Sequence, residues 1–188
     1  NAAGSSASGT ANNLTLNLAL SFRSAFAGAK TIYMQTQDNA GLSTGWQAKG
    51  AWTVVAGGNE APSAVSVTPS SGGGSGQTFS LVYSDPNGFA DLPWAQVNIN
   101  AALSAISACY VHYARAASAV WLLNDAATAW LGPVFLGLAG TVQNGQCAVN
   151  AAGSSAGGTG NNLLLILAMS FRSAFAGAKT IYMQTQDE

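Results

Sequence analysis

Residues 14–20 read LTLNLAL, and residues 163–169 read LLLILAM. In the first stretch Leu14, Leu16, Leu18 and Leu20 alternate with Thr15, Asn17 and Ala19. A period of two is that of a strand with one buried and one wet face. The second stretch keeps the inner pattern but carries Leu164 and Ile166 where the first has Thr15 and Asn17. Its outer face has turned apolar. Neutral drift on a lightly solvated face accounts for this, as does packing against something the first copy does not meet.

The likeness extends outward in both directions. Residues 1–38 and 150–187 match at 33 of 38 positions with an offset of 149; the five differences are Ser8/Gly157, Ala11/Gly160, Thr15/Leu164, Asn17/Ile166 and Leu20/Met169. A period of 149 is a whole domain and too long for a solenoid unit. Residues 1–56 are therefore expected to be the C-terminal part of one module, 57–61 (GGNEA) a linker, and 62–188 most of the next module, lacking its final strand or strands. The second copy should continue with the counterpart of residues 40–55. Either the chain is a window on a longer array, or a neighbouring molecule supplies that strand.

Further strands are expected at residues 30–37, 51–55, 64–68, 78–84, 94–100, 108–114 and 119–124, with a short helical crossing over 21–29. Turn chemistry separates them: DNAG at 38–41, PSSGGGSG at 69–76 and DPNG at 85–88. Many short strands and no long helical pattern predict an all-β chain built of antiparallel β-sandwich modules.

Composition narrows the function. The chain has 22 Gly and 36 Ala but only 6 Lys+Arg and 7 Asp+Glu, with net charge −1. That is 7% charged residues, against about 25% in an ordinary soluble protein. Nothing in this balance is suited to nucleic acid or an anionic membrane. No apolar run reaches the roughly 18 residues of a membrane span. One His and few carboxylates leave little material for acid–base catalysis, so no enzyme is expected.

The order of motifs from Ala61 to Trp94 (AP-S-V-SVTPSSG, QTF, LVYSDPNG, ADL, W), then ACYV at 108–111, WLLND at 121–125 and QC at 146–147, followed by FAGAKTIYMQTQDNAGL and WTV as in residues 26–54, resembles a tandem bacterial immunoglobulin-like module. Residues 27–55 are similar to the closing hairpin of such domains and of fibronectin-like ones. The resemblance covers essentially the whole chain in cyclically cut order. It implies Ig-like modules in tandem and a spacer or structural role in a large secreted or surface protein, and it supplies no catalytic residue. Trp121 and Trp130 lie between the two cysteines without matching the antibody-type core pin.

Several residues are candidates for chemistry. Cys109 and Cys147 are the only cysteines. An even pair in a Ser/Thr/Gly-rich β chain suggests a disulfide and an oxidising compartment, with two buried thiols as the other reading. A zinc site is not expected, since only His112 could join them. By alternation Cys109, Val111 and Tyr113 share one face and Tyr110, His112 and Ala114 the other, so an inward Cys109 puts His112 outside. Asp85, Asn87 and Asp91 offer oxygen ligands for calcium, or simply an Asx-stabilised turn. Asn13 opens the one N-x-[ST] sequon, which Leu164 abolishes in the second copy. Trp46, Trp52, Trp94, Trp121 and Trp130 could form a sugar-stacking platform, although core packing is the default for Trp52 and Trp94. Trp46 and Trp130 adjoin Gly and are expected at the surface.

These readings predict a structural repeat of an extracellular filament or cell-surface stalk, assembled head to tail with copies of itself and without a cofactor. Strand complementation between neighbours is one route to such assembly. The alternative is an adhesin or carbohydrate-binding spacer module with glycans as partners.

Overall fold

The computed structural model describes residues 4–55 and 57–187. The chain divides into two compact units, Asn1–Gly58 and Asn59–Glu188. Both are built from antiparallel strands joined by turns, with 3-10 turns as the named helical elements.

The first unit holds β1 (Ser6–Thr10), β2 (Asn13–Asn17), β3 (Gly28–Met34) and β4 (Gln47–Val54). They form two separate hairpins, β1–β2 and β3–β4. Asp38 closes the loop after β3, its Oδ1 accepting from the backbone N–H groups of Ala40 and Leu42. The expected helical crossing over 21–29 is a single 3-10 turn, Ser24–Phe26. The period-two reading of 14–20 fails on burial: Leu14, Leu16, Leu18 and Leu20 are 70%, 57%, 63% and 64% exposed, and β2 ends at Asn17. Among the described residues of this unit no second sheet covers the leucine face.

The second unit continues with β5 (Ser63–Thr68), β6 (Gly76–Ser84), β7 (Trp94–Asn100), β8 (Cys109–Ala114), β9 (Ala119–Leu123), β10 (Trp130–Phe135), β11 (Thr141–Gln143), β12 (Cys147–Thr159), β13 (Asn162–Phe171) and β14 (Thr180–Gln186). One sheet runs β11-β12-β13-β6-β5 and the other β10-β9-β8-β7-β14. Both contribute to one core. From the first come Phe79, Leu81, Tyr83, Leu163, Leu165 and Leu167; from the second come Val97, Ile99, Val111, Val120 and Leu122. Leu163, Leu165 and Leu167 stand opposite Tyr83, Leu81 and Phe79 in the β13–β6 ladder. These three leucines are at most 1% exposed, and Met169 is 5% exposed.

Two links cross the core. The Cys109–Cys147 disulfide joins β8 to β12 with the Cα atoms 5.7 Å apart. The hydroxyl of buried Tyr83 on β6 donates to the Gln96 carbonyl on β7, 2.9 Å away. Burial drives the Tyr83 phenol far above its ordinary pKa, so it remains the protonated donor this bond requires.

The described residues also contain strands that periodicity did not mark. β1 and the twin part of β12 are runs of Gly, Ala, Ser and Thr with no apolar alternation. β10 carries Gly132-Pro133 and a register shift between Leu131 and Val134. Such residues argue against a strand interior but are tolerated at an edge, where β10 lies.

Candidate functional site

Alternation along β7, β8 and β9 sends Ala95, Val97, Ile99, Cys109, Val111, Val120 and Leu122 into the core. It therefore sends Trp94, Gln96, Tyr110, His112 and Trp121 to the opposite face. There the rings gather around His112. Its imidazole lies 6.0 Å from Trp94, 5.9 Å from Trp121 and 5.4 Å from Trp130, and Trp130 stands edge-on to Tyr110 at 5.4 Å. The ring planes are inclined by 37° to 69°. The rings make a ridged cluster and not a flat shelf.

A polar network borders the rings. Gln96 Oε1 accepts from the Tyr110 hydroxyl and from Gln184 Nε2. Gln96 Nε2 lies 3.0 Å from His112 Nδ1. An amide nitrogen can only donate, so this bond assigns a neutral His112 with its proton on Nε2. Partial burial pushes the His112 pKa down and favours the same neutral form. The side-chain partner of His112 is therefore the Gln96 amide.

Next to the rings runs an open groove of about 520 Å³, lined by Gln96, Asn98, Ser104, Tyr110, Tyr182 and Gln184 among others. Asn98 is buried beneath residues 101–107; its Nδ2 donates to the Ser104 carbonyl, while its Oδ1 is unpaired. The groove is thus lined by amides and phenols together with Leu103, Ile181 and Met183, while the unpaired Asn98 oxygen is buried.

The other sequence candidates lie elsewhere. Trp52 is 60% exposed and Trp94 belongs to the outer ring cluster, so neither fills the core as expected. A tryptophan in a strand does not by itself announce its face; the apolar neighbours Ala95, Val97 and Ile99 carry that signal. Trp46 is exposed in the first unit, as is Asn13 at the start of β2. Asp85 is buried and its Oδ1 accepts from the Asn87 N–H, while Asn87 Oδ1 accepts from the Glu60 N–H. Asp91 closes a 3-10 turn, Phe89–Asp91. These bonds make the 85–91 segment an Asx-type turn that ties the start of the unit to the end of β6. Among the described residues no group of three or more His, Cys, Asp or Glu is placed to hold a metal.

The sheet edges form the second feature. β5, β10, β11 and β14 end the two sheets. Open edges invite pairing with another chain unless they are short, bulged, charged or interrupted by Pro. β5 has a register shift between Ala64 and Ser66, β10 has Pro133 and a shift, and β11 is three residues long. β14 (TIYMQTQ) has seven uncharged residues in an unbroken ladder with β7 and none of these devices.

Comparison with protein families, with curated proteins and with solved structures finds no match to this chain.

Proposed function

We propose that this chain is a structural repeat of an extracellular filament or cell-surface stalk, built from Ig-like modules in tandem and assembled head to tail. The supporting observation is the unequal fate of the two copies. The leucines buried in the second unit are matched in the first by Leu14, Leu16 and Leu18, which stand exposed where the described residues form two separate two-stranded sheets. The strand order is compatible with Ig-like topology, where strands A, B, E and D form one sheet and C, F and G the other. In that scheme β5, β6, β13 and β12 take the A, B, E and D places, β7 and β14 take C and F, and a counterpart of β4 takes G. The disulfide fits an oxidising compartment. Among the described residues no helix is long and apolar enough to cross a membrane. The low charge suits surfaces that meet copies of themselves. Negative-stain imaging of the native material tests the reading: it requires extended polymers with an axial repeat of one module, and isolated compact monomers would refute it.

The ring cluster around His112 favours a second reading, a carbohydrate-binding or adhesin module. Trp130 is partly exposed and packs on Tyr110, which lines the neighbouring groove with Gln96, Tyr182 and Gln184. Sugars combine apolar faces, which stack on such rings, with hydroxyls that pair with such groups. Glycan titration followed by tryptophan fluorescence distinguishes the readings. Saturable quenching that disappears in Trp130→Ala supports the binding module.

A further inference from the structure

We infer that the outer face of the β10-β9-β8-β7-β14 sheet takes an uncharged sugar chain, laid across the strands, and discriminates against acidic glycans. The inference rests on the carbohydrate-binding reading of the ring cluster and names the class of glycan and its direction on the sheet.

The ladder registers arrange the face in rows. Gln184, Gln96, His112 and Trp121 stand opposite one another on β14, β7, β8 and β9. In the next row Tyr182 and Tyr110 flank Asn98, and Trp130 closes on Tyr110. The first row crosses three inter-strand spacings, about 14 Å, more than a single sugar ring covers. These side chains stand off the face of the sheet, so a strand laid beside β14 would extend the site and not cover it.

With His112 neutral, neither row carries a charge, and the groove lining has no charged residue. A carboxylate or sulfate brought here would lose water and meet no cation. Gln96 is spent within the protein: its Oε1 accepts from Tyr110 and Gln184, and its Nε2 donates to His112. It fixes its neighbours and leaves their remaining atoms to a ligand. Gln184 commits its Nε2 to Gln96 and Tyr110, so its Oε1 is left as an acceptor. The Tyr182 hydroxyl and the Trp130 indole N–H have no hydrogen-bond partner among the described residues. An acceptor, a donor and a hydroxyl beside exposed ring surface match a ligand whose hydroxyls both give and accept and whose C–H faces stack. A proline-rich segment, which aromatic grooves also take, has carbonyls but no N–H at proline for Gln184 Oε1.

The test titrates the full chain, followed by calorimetry and by NMR of the side-chain amides and indoles. The probes are cello-, malto-, manno- and N-acetylchitohexaose, each beside its C6-carboxylate counterpart and its monosaccharide, and a proline decapeptide. At least one neutral hexamer should bind, shift the Gln184 amide and Trp130 indole signals, and exceed its carboxylate and its monosaccharide by about tenfold or more. Gln184→Leu and Tyr182→Phe should each weaken that binding by about threefold to tenfold, with the backbone amide spectrum otherwise retained. Equal or tighter binding of the carboxylate or the monosaccharide, or neutral binding that leaves those two signals in place, would overturn the inference while keeping a carbohydrate-binding module. Binding of the proline peptide alone, or of no probe, would remove the carbohydrate reading and the inference with it.

Discussion

The hairpin at residues 5–20 and its twin at 154–169 differ at five positions of the surrounding repeat, yet one is bare and the other is core. Their local structures agree closely. Ala7 stands opposite Leu16 as Ala156 stands opposite Leu165. Ser5 Oγ accepts from the Ala19 N–H at 3.0 Å, and Ser154 Oγ accepts from the Ala168 N–H at 2.9 Å. Lys30 sits 4.5 Å over Phe26, and Lys179 sits 4.6 Å over Phe175. A Cβ on Gly4 would press on Ala19, and one on Gly153 would press on Ala168. Register, kink and cation–π contact are therefore written in the local sequence. Burial is not: in the second unit β6 extends the sheet beside β13 and the facing sheet supplies Val97, Val111 and Leu122, and among the described residues of the first unit neither has a counterpart.

This contrast can be broken most forcefully at the leucines. Leu165→Ala should destabilise the second unit by about 2–5 kcal/mol, because it removes a side chain from a closed core. Leu16→Ala, at the twin position, should change stability by less than about 0.5 kcal/mol. Urea unfolding read by hydrogen exchange in each unit checks both, and equal losses would contradict the asymmetry described above.

Removing the disulfide comes next. The bridge closes a separation of 38 residues, for which chain entropy gives roughly 4 kcal/mol as an upper guide. A Cys109→Ala/Cys147→Ala chain should lose about 2–4 kcal/mol in the second unit. Exchange of the β1–β2 amides should not change; a matching loss there would mean that the two units unfold together.

A glycine pair sharpens the comparison. A Cβ on Gly158 would run into the Phe89 ring, whereas one on Gly9 would meet only the Asn13 carbonyl at 3.8 Å. Gly158→Ala should cost about 1–3 kcal/mol through overpacking. Gly9→Ala should remain within about 0.5 kcal/mol of the parent. Thermal melts of the two variants give the answer directly.

The smallest effect concerns pH. Burial lowers the His112 pKa in the folded state below its ordinary value near 6.5. Between those two values the unfolded chain binds more protons, so stability rises with pH across that window and falls as pH drops below about 6.5. Protonation would also end the acceptance of the Gln96 amide by Nδ1. His112→Gln should flatten this part of the stability profile, and an unchanged slope would show that His112 does not produce it.

The sequence disclosed the second unit better than the first. Alternation located the inward Leu163, Leu165 and Leu167, the strands around Thr78–Ser84 and Trp94–Asn100, and the outward turn of His112. It missed β12, because Ala, Gly and Ser carry no face preference, and β10, because Gly132-Pro133 interrupts the pattern. It placed Trp52 and Trp94 in the core because strand membership alone does not fix a face. It also assigned the 14–20 leucines a buried side. A periodic pattern records the capacity to be buried, while burial itself requires a partner surface. The groove at Asn98 had no sequence signal, since residues 101–107 create it by folding over an outward-facing amide.

The duplication also poses a question of partner choice during folding. The inward positions of the two copies differ only at Leu20 and Met169, so either could close on β6 with nearly the same contacts. Chain entropy scarcely discriminates, because closure cost grows only with the logarithm of loop length. The cysteines do. Cys147 lies three residues before the second copy, and its bond to Cys109 commits that copy to β8 and its sheet. In a chain of near-identical segments, where exchange of equivalent elements is a characteristic error, this bond ties the second copy, and not the first, to the strand that carries Cys109.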